Sequence, residues 1–361
     1  MTASVPSLED LLVAALDRGA RQVEIRAERA PMARLDGRLV ALAAPIASDA
    51  VKEMARRVDW NADRNRAGVS RTWVTPAGAT IPVAFAVHTR PDDALYRSVA
   101  ITAILQEDPV APPLASHDLP EAVTERLRPG GGLALVCGGP GSGRDGLLDA
   151  IAAELVRPAE AGIVVARVAA YAHPGLGRLA GPTTLMSQVA YASHQAPLPE
   201  LDALIARLAT EAGTGVPDVL VVDEVPGRLT LGTLATLARR GTLVVAGLTA
   251  PDVPAALRWL ASRLPVDGDQ GLAHDVVESL ALVLAQRMLP GTGIDRVACH
   301  SWLTPTSEER RFWHRTRPWE WEQAATAALA SGQVGTSFSE NAVQLYQQGR
   351  ITRETYRDVT G

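Results

Sequence analysis

Leu8, Leu11, Leu12, Ala15 and Leu16 recur at intervals of three and four residues and so share one face of a helix. Ser7-Leu-Glu-Asp10 supplies a variant capping box at its start, and Gly19 a stop. Polar and apolar residues then alternate over Gln22 to Arg26, the pattern of a half-buried strand, and Met32 to Val40 folds as a hairpin over Asp36-Gly37. A second helix runs from Ser48 to near Val58. Arg71 to Thr75 and Thr80 to His88 form another hairpin around Pro76-Ala-Gly78, and Tyr96 to Leu105 adds a strand. These elements predict a small α+β domain.

From Asp108 to Pro120 the chain is rich in proline, which fixes φ and removes backbone donors, so this stretch is expected to link two domains. Beyond it the pattern changes to short, continuously apolar runs: Leu133 to Cys137, Gly162 to Val168, Val219 to Asp223 and Thr242 to Leu248. Helical stretches separate them. That alternation predicts an α/β domain with a mostly parallel sheet wrapped by helices. After Pro265 the spacing turns helical, with helices expected over Asp275 to Met288, Glu308 to His314, Trp321 to Ala330 and Ser339 to Gln348. The resulting division is 1–107, a linker over 108–120, a core over 121–270 and a mostly helical region over 271–361.

Composition changes this picture little. With 361 residues and 47% hydrophobic content, the chain buries ample core without staples. Its two cysteines, Cys137 and Cys299, lack metal-ligand spacing and fit a reducing compartment. No apolar run approaches the roughly 20 residues that a membrane-spanning helix needs, and the N-terminus has no secretory-signal layout. A cytoplasmic protein is expected. The net charge of −5 gives no global attraction to nucleic acid or acidic lipid. Lys52 is the only lysine, so arginine supplies nearly every basic side chain.

The candidate chemistry lies in Gly138-Gly139-Pro140-Gly141-Ser142-Gly143-Arg144-Asp145, between an apolar strand and a helix. A phosphate-binding loop of the form G-x-x-x-x-G-K-[ST] needs this context, because its backbone N–H groups and the helix N-terminus hold the phosphates. The glycine frame is intact, but arginine replaces the lysine and aspartate the hydroxyl that ligates magnesium. A planar guanidinium does not fit a phosphate cradle as an ammonium does. Asp145 brings negative charge toward an anionic ligand, yet an acid in a helix's first turn is favourable by about 0.3–1 kcal/mol with no ligand at all. Arg144 has two readings, phosphate contact or pairing with an acid such as Asp149. Asp223 and Glu224 end an apolar strand, where α/β sheets place ligand crevices. Glu224 is the candidate catalytic base, and Asp145 and Asp223 are the candidate magnesium ligands. The seven histidines show no pair at helical metal spacing, and incidental roles are expected for them, including His117 and His300. Trp302, Trp313, Trp319 and Trp321 among several arginines predict helix packing with a partner surface.

In order and separation, these segments resemble the type IV pilus retraction ATPases, a branch of the ring-forming type II/IV secretion ATPase superfamily. Leu8-Glu-Asp-Leu-Leu, Gly19-Ala-Arg-Gln-Val-Glu-Ile and Pro31-Met-Ala-Arg-Leu-Asp-Gly37 resemble its N-terminal PAS-like domain. Pro217-Asp-Val-Leu-Val-Val-Asp-Glu224 resembles its Walker B strand, Gly241-Thr-Leu-Val-Val-Ala-Gly-Leu-Thr249 its histidine-box strand, and Leu282 to Pro290 its following helix. Ala342 to Tyr356 resembles its last two helices. The resemblance implies a PAS-like domain before a RecA-like P-loop NTPase domain, a hexameric ring, and ATP with magnesium between subunits.

The resemblance also exposes losses. Ile163 to Ala169 has no carboxylate where the family carries an aspartate box, and Thr249 stands at the histidine-box histidine. These joint changes favour a degenerate, non-hydrolysing family member with no required cofactor. It would act on motor subunits or an inner-membrane platform protein, as a homo- or hetero-oligomer, without nucleic acid, and peripheral to the membrane through those partners. An active retraction ATPase using Arg144 and Asp145, and a nucleotide sensor without turnover, are the alternatives.

Overall fold

A computed structural model of the chain describes residues 5–20, 22–35, 38–58, 66–74, 80–92, 96–105, 113–157, 163–169, 176–179, 184–190, 217–225, 227–264, 271–293 and 296–361. It forms two units, one built mainly on Met1–Val110 and the other on Ala111–Ala169, Leu176–Gln188 and Pro197–Gly361. In the first, α1 (Leu8–Leu16) begins where expected. Ser7 Oγ accepts from Asp10 N–H at 3.1 Å while Asp10 Oδ2 accepts from Ser7 N–H at 2.8 Å, so the cap satisfies two donors that a helix start leaves open. Leu8, Leu11, Leu12 and Ala15 are its buried face.

That face and α2 (Ser48–Arg57) contribute to one core with an antiparallel sheet. The sheet comprises β1 (Gln22–Arg26), β2 (Met32–Leu35), β3 (Arg38–Ala41), β4 (Arg66–Val74), β5 (Thr80–Asp92) and β6 (Tyr96–Leu105), in the order β3-β2-β1-β6-β5-β4. Both expected hairpins are present, and their turn residues 36–37 and 75–79 lie outside the described residues.

In the second unit, part of the expected linker forms a 3-10 turn at Leu114–His117, followed by α3 (Glu121–Thr124). Then come β7 (Gly132–Cys137), α4 (Arg144–Val156), β8 (Val164–Ala169), α5 (Leu176–Leu179), β9 (Leu185–Ala190), β10 (Val219–Val222), α6 (Arg228–Arg239), β11 (Leu243–Leu248), α7 (Val253–Arg263) and α8 (Gly271–Ser279). The chain finishes with β12 (Leu280–Pro290), β13 (Arg296–Leu303), α9 (Ser307–Arg315), α10 (Trp321–Ser331), β14 (Gly335–Thr336), α11 (Phe338–Gln347) and α12 (Arg353–Thr360). The sheet order is β14-β13-β12-β7-β11-β10-β8-β9. Parallel pairings run from β12 through β7, β11 and β10 to β8. β7, β10 and β11 are apolar, and every residue but the first of β7 is buried, the pattern of strands covered on both faces.

One expectation is corrected here. Leu280 to Met288 is strand β12, not helix; only Gly271–Ser279 before it is helical. The segment is made of good helix formers, but β12 pairs with β7 on one side and β13 on the other and is largely buried. Tertiary pairing overrides propensity. The region after residue 271 is therefore mixed, and it completes the core sheet. Among the described residues, no helix is long and apolar enough to cross a membrane.

Candidate functional site

The site forms at the carboxyl ends of β7, β10 and β11, where Gly138–Gly143, Asp223-Glu224 and Thr249 follow directly. The loop needs its glycines. A side chain on Gly138 would put Cβ 2.1 Å from Ser142 Oγ, and Gly143 caps α4 with φ at 77° and no room beside Gln286 Nε2. Gln286, on β12, donates to Ser142 O at 2.9 Å and pins the loop from below. Ser142 N–H closes on Gly139 O at 3.1 Å, and Arg144 N–H on Ser142 Oγ at 3.3 Å. Two donors of the loop are thus satisfied internally.

Arg144 leaves the first turn of α4 and reaches across to the other two strand ends. Its Nη1 donates to Glu224 Oε2 at 2.6 Å and to Thr249 Oγ1 at 3.1 Å, while Nε donates to Asp145 Oδ1 at 3.1 Å. Thr249 completes the ring by donating its N–H to Glu224 Oε1 and its hydroxyl to Oε2, each at 3.2 Å. Arg144 is 8% exposed. Burial works against its charge, but Glu224 and Asp145 outweigh that and hold its pKa above the ordinary arginine value. In this arrangement the guanidinium faces carboxylates, and the candidate base has a cation against one of its oxygens.

A second arginine lies beneath this ring. Arg167, from the strand that has no carboxylate, is 1% exposed and pairs through Nη2 with Asp149 Oδ1 at 2.5 Å and Asp223 Oδ1 at 3.2 Å. Asp149, weighed above as a partner for Arg144, thus belongs to Arg167. Burial pushes the Asp223 carboxyl up to about 6, with Arg167 opposing and Asp149 and Asp145 reinforcing the shift. Burial raises Asp149 likewise, against Arg167. Of the two candidate magnesium ligands, Asp223 is buried on Arg167 and Asp145 has an exposed side chain on α4 that faces Arg144.

Sequence reasoning missed Arg167, Gln286 and His300. His300 was expected to be incidental; it is buried on β13, with Nε2 3.0 Å from Gln286 Oε1, and so steadies the residue that pins the loop. Burial and the neighbouring His117 lower its pKa to about 4, so it is neutral near pH 7. The tryptophan cluster divides. Trp313 and Trp321 are buried together, with Trp321 Nε1 donating to Trp313 O at 3.3 Å, while Trp319 stands exposed under the Arg317 guanidinium. Most of Tyr171 to Pro182, expected to be a glycine-rich loop, lies outside the described residues.

Several solved structures share this architecture over their full length. The X-ray structure of the Legionella pneumophila ATPase DotB has a TM-score of 0.74 at 19% identity, covering 99% of this chain and 98% of its own. The Yersinia pseudotuberculosis ATPase DotB gives 0.73 at 18%, covering 100% and 96%. The pilus retraction motor PilT with bound ADP gives 0.70 at 18%, covering 98% and 97%. No family model and no curated protein matches the sequence. The chain therefore has the RecA-like α/β fold of these ATPases, with a small antiparallel N-terminal domain, as the resemblance implied.

Proposed function

We propose that this chain is a non-hydrolysing relative of the pilus retraction and secretion ATPases, acting in a type IV pilus or related secretion machine through protein contacts. One observation carries the reading: Arg144, at the position of the phosphate-binding lysine, is held by Glu224, Thr249 and Asp145. A base acts on water only beside a held γ-phosphate. Here the base, the cation and the histidine-box position form a closed ring among themselves.

The residues do not fit magnesium triphosphate. The hydroxyl that would ligate the metal is replaced by Asp145, Asp223 is committed to Arg167, and the loop's own bonds use the Ser142 and Arg144 N–H groups. At an effective dielectric of about 20, a carboxylate about 4 Å from a phosphate charge is repelled by roughly 4 kcal/mol. Glu224 and Asp145 neutralise the buried Arg144 guanidinium within the protein, so its charge needs no phosphate as partner.

The regulatory role rests on the likeness to a pilus retraction motor and on the intact two-domain architecture, from which we infer assembly with motor subunits or with the platform they turn against. Adding the purified chain to an intact motor of this fold from the same genome tests it. A mixed assembly by mass and an altered rate of phosphate release by the motor are expected. Separate masses and an unchanged rate would oppose the reading.

A further inference from the structure

We propose that His274, Glu278 and His314 form a surface site for one divalent ion of the zinc class, bridging α8 and α9. His274 and Glu278 lie four apart, so α8 presents them one turn from each other on one face. The last turn of α9 brings His314 to the same place. Its Nε2 is 2.6 Å from Glu278 Oε1, and its ring centroid is 4.6 Å from that of His274. One ligand atom from each of the three lies within 4.8 Å of the others. Zinc holds nitrogen and oxygen ligands at about 2.0–2.2 Å, which separates neighbouring ligand atoms by about 3.3 Å in a tetrahedron. All three side chains are exposed, so small rotations close that difference without moving either helix.

The Glu278–His314 hydrogen bond joins two of these residues, and the His274 ring lies against that of His314. A shared metal uses all three. The backbone around them is already fixed: Arg310 of α9 donates to Leu280 O at 3.0 Å just past the end of α8, the buried Trp313 anchors α9 beside His314, and Asp275 of α8 is ion-paired to Arg239 of α6. Two imidazoles and one carboxylate suit zinc, cobalt or nickel over magnesium or calcium, which prefer oxygen alone. Three ligands on an exposed face leave the fourth position to water. The site uses none of the residues around Arg144 and stands independently of the proposed function.

The test uses the full, tag-free chain, stripped with chelator and titrated with Co²⁺, followed by visible absorption, and then with Zn²⁺ in competition. One ion per chain is expected. Each of His274→Ala, His314→Ala and Glu278→Gln should weaken binding by about tenfold or more. Zinc should raise the thermal midpoint of the wild type and leave that of the His274→Ala/His314→Ala chain unmoved. Glu278→Gln keeps a hydrogen-bonding partner for His314, so its loss reports the ligand and not packing. Absence of a stoichiometric ion, or equal binding by the double variant, would overturn the proposal.

Discussion

Replacing Arg167 by methionine is expected to destabilise the second unit by about 3–5 kcal/mol, because it leaves Asp149 and Asp223 buried without their cation. The direction does not depend on the worth of the intact cluster. Removing all three charges with Arg167→Met, Asp149→Asn and Asp223→Asn should recover most of the loss, since well-packed neutral replacements of buried ion clusters are often neutral or stabilising. pH supplies a second handle. The folded chain holds the Asp223 proton up to about 6, whereas an unfolded aspartate releases it at about 3.9. The folded state therefore binds more protons across that window, and this group's contribution to stability falls as pH rises from about 4 to about 6. Asp223→Asn removes that slope. For the Arg167→Met chain, the deficit should shrink toward pH 4 as both carboxyls protonate. Urea unfolding at pH 4.5 and 7.5 measures each of these. Unchanged midpoints in Arg167→Met would show that the cluster does not hold the core.

The second large effect concerns the loop. Restoring lysine and threonine together, Arg144→Lys with Asp145→Thr, should strengthen binding of magnesium-ATP on the order of 100-fold over the wild type. Each charge-assisted hydrogen bond restored contributes about 1.5–3 kcal/mol, and 2.7 kcal/mol corresponds to about that factor. The glycine frame, with Gly141 and Gly143 already at φ 77°, is ready to receive phosphates once its side chains allow them. Turnover should stay absent in this variant, because the resemblance to the retraction ATPases implies carboxylates and a histidine that Ile163 to Ala169 and Thr249 do not supply. Titration with a fluorescent ATP analogue reads the affinity. Equal affinity in both chains would show that Arg144 and Asp145 do not set the loop's affinity for nucleotide.

Much of this site was legible in the sequence, for identifiable physical reasons. The loop between β7 and α4 announced itself because glycine spacing, an apolar strand and a helical face agree locally. The capping box of α1 and the hairpins of the first unit are local patterns of the same kind. What escaped notice depends on distant pairing. β12 has the composition of a helix, and only its neighbours β7 and β13 make it a strand. Arg167 was indistinguishable among the arginines of a chain with a single lysine, although an arginine inside a continuously apolar strand is a usable signal that an acid awaits it. The Asp149 proposed for Arg144 was the right kind of partner for the wrong arginine. His274 and Glu278 do have helical ligand spacing, but the third ligand lies on another helix, 36 residues beyond Glu278.

The central claim, that Arg144 is held by the candidate base Glu224 and that the chain does not hydrolyse nucleotide, is tested most directly by phosphate release from magnesium-ATP, comparing the purified wild-type chain with Glu224→Gln. Neither is expected to exceed the uncatalysed background, and the two should be indistinguishable. Release by the wild type that disappears in Glu224→Gln would contradict it.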